Sequence, residues 1–162
     1  MKKARNSLIG LSAAALVMIA TFEGYRGTSY DDGVGVQTIG FGTTQGVKAG
    51  AKTDPVRALG FLYRDANEIT EQISDCIGDV PLHQHEADAF ISLAYNIGAG
   101  AFCRSTLVKK LKRDPPDYLS ACSEILRWNK AGGNVNVEEG LTNRRQKEYQ
   151  LCMTDKQQIA EK

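Results

Sequence analysis

The chain has 162 residues, 42% of them hydrophobic and 24% charged, with a formal net charge of +1. That length suits one domain with a real core, and the composition is that of a folded chain rather than a disordered one. The near-neutral balance argues against a dedicated nucleic-acid binder, which carries a strong basic excess. The local run Lys109, Lys110, Lys112 and Arg113 reads as a solvated helix end.

The start is basic at Lys2, Lys3 and Arg5, and residues 6–22 then carry no charge. A positive start before an apolar stretch is the pattern of an export signal. The uncharged run is at the short end of the roughly 17–25 residues that span a bilayer. Much of it is Gly, Ala, Ser and Thr, so a span built from it is marginal. Three readings stay open at this point: an uncleaved signal anchor, a cleaved secretory signal, and a buried first helix of a soluble protein.

Residues 23–44 are dense in Gly, Thr, Tyr and Val, and "VGVQTIGFGTT" reads as short strands and turns. After the loop "VKAGAKTD", Thr53 or Asp54 followed by Pro55 marks a helix start. Leu59, Leu62, Ala66, Ile69 and Ile73 recur at helical spacing until Gly78 and Pro81. A second helix covers "HQHEADAFISLAYNIG", with Ala87, Phe90, Ile91 and Ala94 on one side, and Gly98 and Gly100 stop it. "STLVKKLKR" is a short amphipathic helix with Ser105 as a cap, broken by Pro115 and Pro116. "DYLSACSEILRWN" and "LTNRRQKEYQLCM" are the last two helices, with "AGGNVNVEEG" as a loop between them. The layout is α+β and mostly α: a small β-containing segment near the start, then helices.

Four cysteines, Cys76, Cys103, Cys122 and Cys152, are scattered with no CxxC pair. Two disulfides and four buried thiols are both compatible with that pattern. His83 and His85 flank Gln84, match no metal spacing, and point to different sides if helical. Neither a metal nor a cofactor is expected.

Glu23 is the residue with the most chemical promise. A carboxyl at the end of an apolar helix is poorly solvated, which suits a general acid. Asp32 follows in a polar turn, where an acid stays ionised. Two carboxyls in contrasting settings are the arrangement used in glycoside hydrolysis, although spacing alone is a weak signal.

"EGYRGTSYDDGVGVQTIGFGTT" resembles the E-G-x-x-x-x-x-Y-x-D-x-x-G-x-x-T-I-G-x-G stretch of the phage-type lysozymes, glycoside hydrolase family 24. Tyr30 precedes the aspartate by two, so the motif selects Asp32 and not Asp31. "AFISLAYNIGAGAFCRSTLVKKL" and "WNKAGG…GLTNRRQKE" resemble two further family segments in the same order. The resemblance covers about residues 15–153. It implies a lysozyme-like fold with a small β-containing N-terminal lobe and a helical C-terminal lobe.

It further implies catalysis by Glu23, Asp32 and Thr38 on the β-1,4 bond between N-acetylmuramic acid and N-acetylglucosamine. Glu23 is the acid, Asp32 acts on water or on the developing cation, and Thr38 holds the water. Arg144 resembles the family arginine that approaches the catalytic Glu from the last helix, with Arg145 as the alternative. Asn96 takes the place of a polar residue facing the sugar, and Thr44 and Ser105 are weaker substrate-binding candidates. Tyr25, Tyr30 and Phe41 read as core rather than as sugar platforms, and Trp128 as packing of the C-terminal helices. The implied disulfide pairs are Cys76–Cys103 and Cys122–Cys152.

A lysozyme must reach peptidoglycan, so the export-like start is expected. Residues 1–22 then resemble the segment of signal-anchor-release endolysins, held at the inner membrane and later freed, with residues 23–162 as the catalytic domain. The protein is expected to be a monomer with no nucleic-acid partner. The alternatives are a lytic transglycosylase, which does not need Asp32, and a non-catalytic wall-binding phage module, against which the intact Glu–Asp–Thr set argues.

Overall fold

The computed structural model describes residues 10–130 and 139–154. The basic start at Lys2, Lys3 and Arg5, and most of the loop expected after Lys130, lie outside these residues. The elements in chain order are α1 (Ala13–Glu23), β1 (Arg26–Asp31), β2 (Gln37–Gly40), α2 (Pro55–Ile77), α3 (Gln84–Ile97), α4 (Ala99–Cys103), α5 (Thr106–Leu111), α6 (Tyr118–Glu124) and α7 (Glu139–Cys152). A 3-10 turn, Ile125–Arg127, closes α6. The fold is mostly helical with one small sheet, as the sequence predicts. It divides into two compact units: Ser12–Glu68, and the remainder, which includes Gly10, Leu11 and everything from Ile69 onward.

In the first unit, the Ser12 hydroxyl accepts from the Ala15 N–H at 3.1 Å and starts α1. Ala15, Ile19 and Ala20 are its buried positions, while Val17 is 60% exposed. Gly24, at φ 70°, ends the helix and its N–H reaches the Ala20 carbonyl. The helix over residues 13–23 thus buries one side and leaves Ala13, Ala14, Val17 and Thr21 exposed. Among the described residues no helix is long and apolar enough to cross a membrane.

β1 and β2 form an antiparallel hairpin with Tyr30 opposite Thr38 and Asp31 opposite Gln37. The following loop is laced back onto β1: Ser29 N–H donates to Ala51 O, and Thr53 N–H to Gly27 O, both at 2.9 Å. Gly40 shows why this position takes no side chain. Its φ is 65°, and a Cβ there would meet the Ala58 Cβ of α2 at 2.9 Å. Asp54, rather than Thr53, caps α2 by accepting from the Arg57 N–H at 3.0 Å.

Of the aromatic residues expected in the core, Tyr25 is exposed, while Tyr30 and Phe41 are half-buried. Tyr25 is 41% exposed; its hydroxyl donates to Thr53 O, and its ring tilts against Phe41 at 5.5 Å. Arg26 stacks over Tyr30 at 4.6 Å. These contacts pin the hairpin from outside.

In the second unit, α3 is buried on every side from Glu86 to Ala94, not on one side as expected. Its polar residues are admitted because each has a partner. Glu86 accepts from the His83 N–H at 3.0 Å, Asp88 from Gln84 at 2.9 Å, and Ser92 donates to Glu148 at 2.6 Å. Gln84 also donates to the Gly10 carbonyl at 2.8 Å, while Leu11 packs on the hydrophobic core. His83 caps the helix from outside it, so its ring can stack on His85 at 5.5 Å.

The unpredicted α4 exists because Phe102, fully buried, turns the chain inward just after Gly98. Trp128 packs against the core as expected. Cys76 pairs with Cys103 and Cys122 with Cys152, the connectivity that the resemblance implies. Closing loops of 27 and 30 residues contributes about 3.6 kcal/mol each in the chain-entropy picture.

The basic run is held by the fold. Lys110 lies 2.6 Å from Glu124, Lys112 donates to Cys76 O, and Arg113 pairs with Asp117. The Lys110 hydrogen bond outweighs burial and holds the Glu124 carboxyl below the usual carboxylate range. That stabilisation is complete above the ordinary Glu range and is lost as pH falls through the lowered value.

Candidate active site

Glu23, Asp32 and Thr38 all fall in the first unit, within the short path from the end of α1 through the hairpin. Glu23 is the last residue of α1 and is half-buried. It reaches this setting because the apolar turn before it packs inward and Gly24 breaks the helix immediately after it. Asp32 is exposed, in the turn that follows β1. The two carboxyls therefore differ in exposure, Glu23 half-buried and Asp32 exposed.

Asp32 is held by one oxygen. Its Oδ1 accepts the N–H groups of Val34 at 3.0 Å and Val36 at 3.1 Å. Its own N–H donates to Val36 O at 3.1 Å. Oδ2 makes no protein hydrogen bond among the described residues, which leaves an anionic oxygen for water. Thr38, in β2, is buried, and its hydroxyl makes only a long 3.5 Å contact with Val36 O. Thr44, just beyond, is exposed.

The other candidates lie in the second unit. Asn96, near the end of α3, is exposed and accepts from Arg145 at 3.0 Å through Oδ1. An arginine only donates, so the Asn96 oxygen must face it and the NH2 is presented outward as a donor. Ser105 is buried and caps α5, with its Oγ accepting from the Val108 N–H at 3.4 Å.

Arg144 and Arg145 are both buried around Glu148. Arg144 Nε lies 3.2 Å from Glu148 Oε1, and its Nη2 donates to Ser92 O. Arg145 Nη2 donates to Glu148 Oε1 at 3.0 Å and Nη1 also reaches Trp128 O. Arg145 Nε and Glu148 Oε2 approach to 2.7 Å as an ion pair without hydrogen-bond alignment. Sequence reasoning missed Glu148. The signal was available, since Arg144 and Arg145 sit four and three residues before it on one helix. Among the described residues no cluster of three or more His, Cys, Asp or Glu is arranged to hold a metal ion.

The mostly helical α+β frame with one small hairpin is that of a lysozyme-like fold. The family model described as Phage lysozyme matches residues 20–148, and the chain belongs to that family. It is 38% identical over 143 residues to an endolysin of Acyrthosiphon pisum secondary endosymbiont phage 1, covering 87% of this chain and 96% of that one. It is 34% identical over 150 residues to a SAR-endolysin of Pseudomonas phage phiKMV, covering 91% of each. Its fold superposes on the endolysin from Escherichia coli O157:H7 phage FAHEc1 with a TM-score of 0.79 at 31% identity, covering 91% of this chain and 95% of that one. The protein is a lysozyme-type endolysin that hydrolyses peptidoglycan, and the lytic transglycosylase reading is not favoured.

Proposed function

We propose that Glu23 protonates the glycosidic oxygen between N-acetylmuramic acid and N-acetylglucosamine while Asp32 positions water for attack at the sugar carbon, with Thr38 holding that water. The observation that carries this reading is the one-sided anchoring of Asp32: two amides fix Oδ1 and leave Oδ2 for solvent. Asn96, with its outward NH2, suits a sugar acetamido or hydroxyl oxygen. Arg144, Thr44 and Ser105 complete the proposed substrate-binding set.

Mass analysis of the products from purified peptidoglycan tests the chemistry. Hydrated reducing ends are expected, and their loss is expected in Asp32→Ala. Anhydro-sugar products would instead assign a transglycosylase reaction.

The N-terminal segment, residues 1–22, is proposed to tether the exported chain to the inner membrane before its release, with residues 23–162 as the catalytic domain. Three features support this. The segment is basic and then uncharged, relatives bear the name SAR-endolysin, and two disulfides suit an oxidising compartment. α1 runs from Ala13 to Glu23 without a break, so the tether and the acid share a helix. While that helix lies in lipid, Glu23 is held at the membrane face and the tethered form is inactive. The released enzyme acts in the periplasm as a monomer on peptidoglycan, with no nucleic-acid partner.

Fractionation with N-terminal sequencing is expected to find intact Met1 moving from membrane to soluble fractions, and wall digestion only in the latter. A membrane-held form as active as the soluble one would rule the tether out as a control on activity.

A further inference from the structure

The turn that carries Asp32 is bound by two carboxylates, not one. Asp31 Oδ1 accepts the N–H groups of Gly33 at 2.8 Å and Gly35 at 3.0 Å. Asp32 Oδ1 accepts those of Val34 and Val36. Four successive amides thus alternate between the two side chains. The alternation follows from the backbone: Gly33 and Gly35 have φ of 93° and 84°, and no residue other than glycine has positive φ among the described residues.

The two glycines are the least restrained residues of the turn. Among the described residues Asp31 is their only hydrogen-bond acceptor, and they bracket Val34, whose N–H orients Asp32. If the Asp31 acceptor is removed, Gly33 and Gly35 regain their freedom. Val34 and Val36 then no longer hold their N–H groups on a fixed Asp32 oxygen.

We infer that Asp31 is a positioning residue for Asp32. It sets which Asp32 oxygen is anchored and which is offered to water. The inference rests on the reading of Asp32 as the water-positioning carboxylate. Asp31 is exposed, as are the amides it holds, so its loss leaves them to water and costs little stability. Its effect is on the chemical step.

The test is steady-state kinetics of the full-length enzyme on soluble glycan strands, with Asp31→Ala, Asp31→Asn and Asp32→Ala beside the wild type. Asp31→Ala is expected to lower kcat about 10-fold, less than the roughly 10²-fold that a 1 Å misplacement costs, with KM within about 2-fold. Asp31→Asn keeps the Oδ1 acceptor without the charge and is expected to restore kcat to within about 3-fold of wild type. Thermal unfolding of all three variants shows that the fold is retained.

If Asp32→Ala is inactive while Asp31→Ala keeps wild-type kcat, the positioning role is overturned and the reading of Asp32 stands. If Asp32→Ala keeps wild-type kcat, the reading of Asp32 falls and the inference falls with it. Asp31→Asn as slow as Asp31→Ala assigns the effect to charge and overturns the inference. A change in KM alone makes Asp31 a binding residue, which also overturns it.

Discussion

Glu23→Gln is expected to lower the rate of peptidoglycan clearing by about 10²–10⁴-fold, the contribution of a positioned general acid. The substitution keeps the size and hydrogen-bonding reach of the side chain and removes the transferable proton together with the charge. The fold is expected to survive. Glu23 is the last residue of α1, where the negative end of the helix dipole opposes a carboxylate by roughly 0.3–1 kcal/mol. An amide avoids that repulsion, so loss of the charge does not weaken the helix end. The expected pattern is an inactive enzyme whose melting temperature stays within a few degrees of wild type. Turbidity clearing and thermal unfolding on the same preparations check it. Equal clearing by both proteins would remove Glu23 as the acid, and a large drop in melting temperature would make the loss of activity structural.

That placement also explains how much of the site was legible. Glu23 could be read because two local facts meet there: an apolar run that must be covered and a glycine that must end the helix. Asp32 and Thr38 could be read because the hairpin motif fixes their order and Tyr30 fixes the register. What the sequence concealed was the company each residue keeps across the chain. On sequence, α3 shows only its apolar side, Ala87, Phe90, Ile91 and Ala94, and its polar residues read as outward-facing. In the fold they are buried, each satisfied by a partner that periodicity cannot supply: the His83 N–H, Gln84 and Glu148. α4 was missed because five residues carry no period to detect, and only the burial of Phe102 makes them a helix. Tyr25, expected in the core, is exposed on the small sheet, while Phe41 is half-buried. Local chemistry was visible, whereas long-range pairing, apart from the two disulfides that the family resemblance implies, was not.

The largest such pairing sets the second prediction. Glu148 is fully buried, and on its carboxylate converge Arg144, Arg145 and the Ser92 hydroxyl. Two buried guanidinium groups face one carboxylate. Neutralising that carboxylate removes the buried anion with which both guanidinium groups pair, and breaking a buried pair costs about 3–5 kcal/mol. Glu148→Gln is therefore expected to lower the melting temperature by about 6–20 °C, at the roughly 2–4 °C per kcal/mol of a chain this size. Ser92→Ala removes one donor to the same oxygen and is expected to cost about 1–2 kcal/mol. Gln146→Ala, exposed on the same helix, is expected to change stability by no more than about 0.5 kcal/mol. Thermal unfolding with both disulfides intact measures all three. A Glu148→Gln protein that melts within about 2 °C of wild type would show that the cluster contributes no net stability. The cluster also reaches function, because the Arg145 that it fixes orients the Asn96 amide. Below its melting temperature Glu148→Gln is expected to raise KM more than it lowers kcat. Asn96 is proposed to bind the sugar, whereas the chemical step is proposed for Glu23 and Asp32.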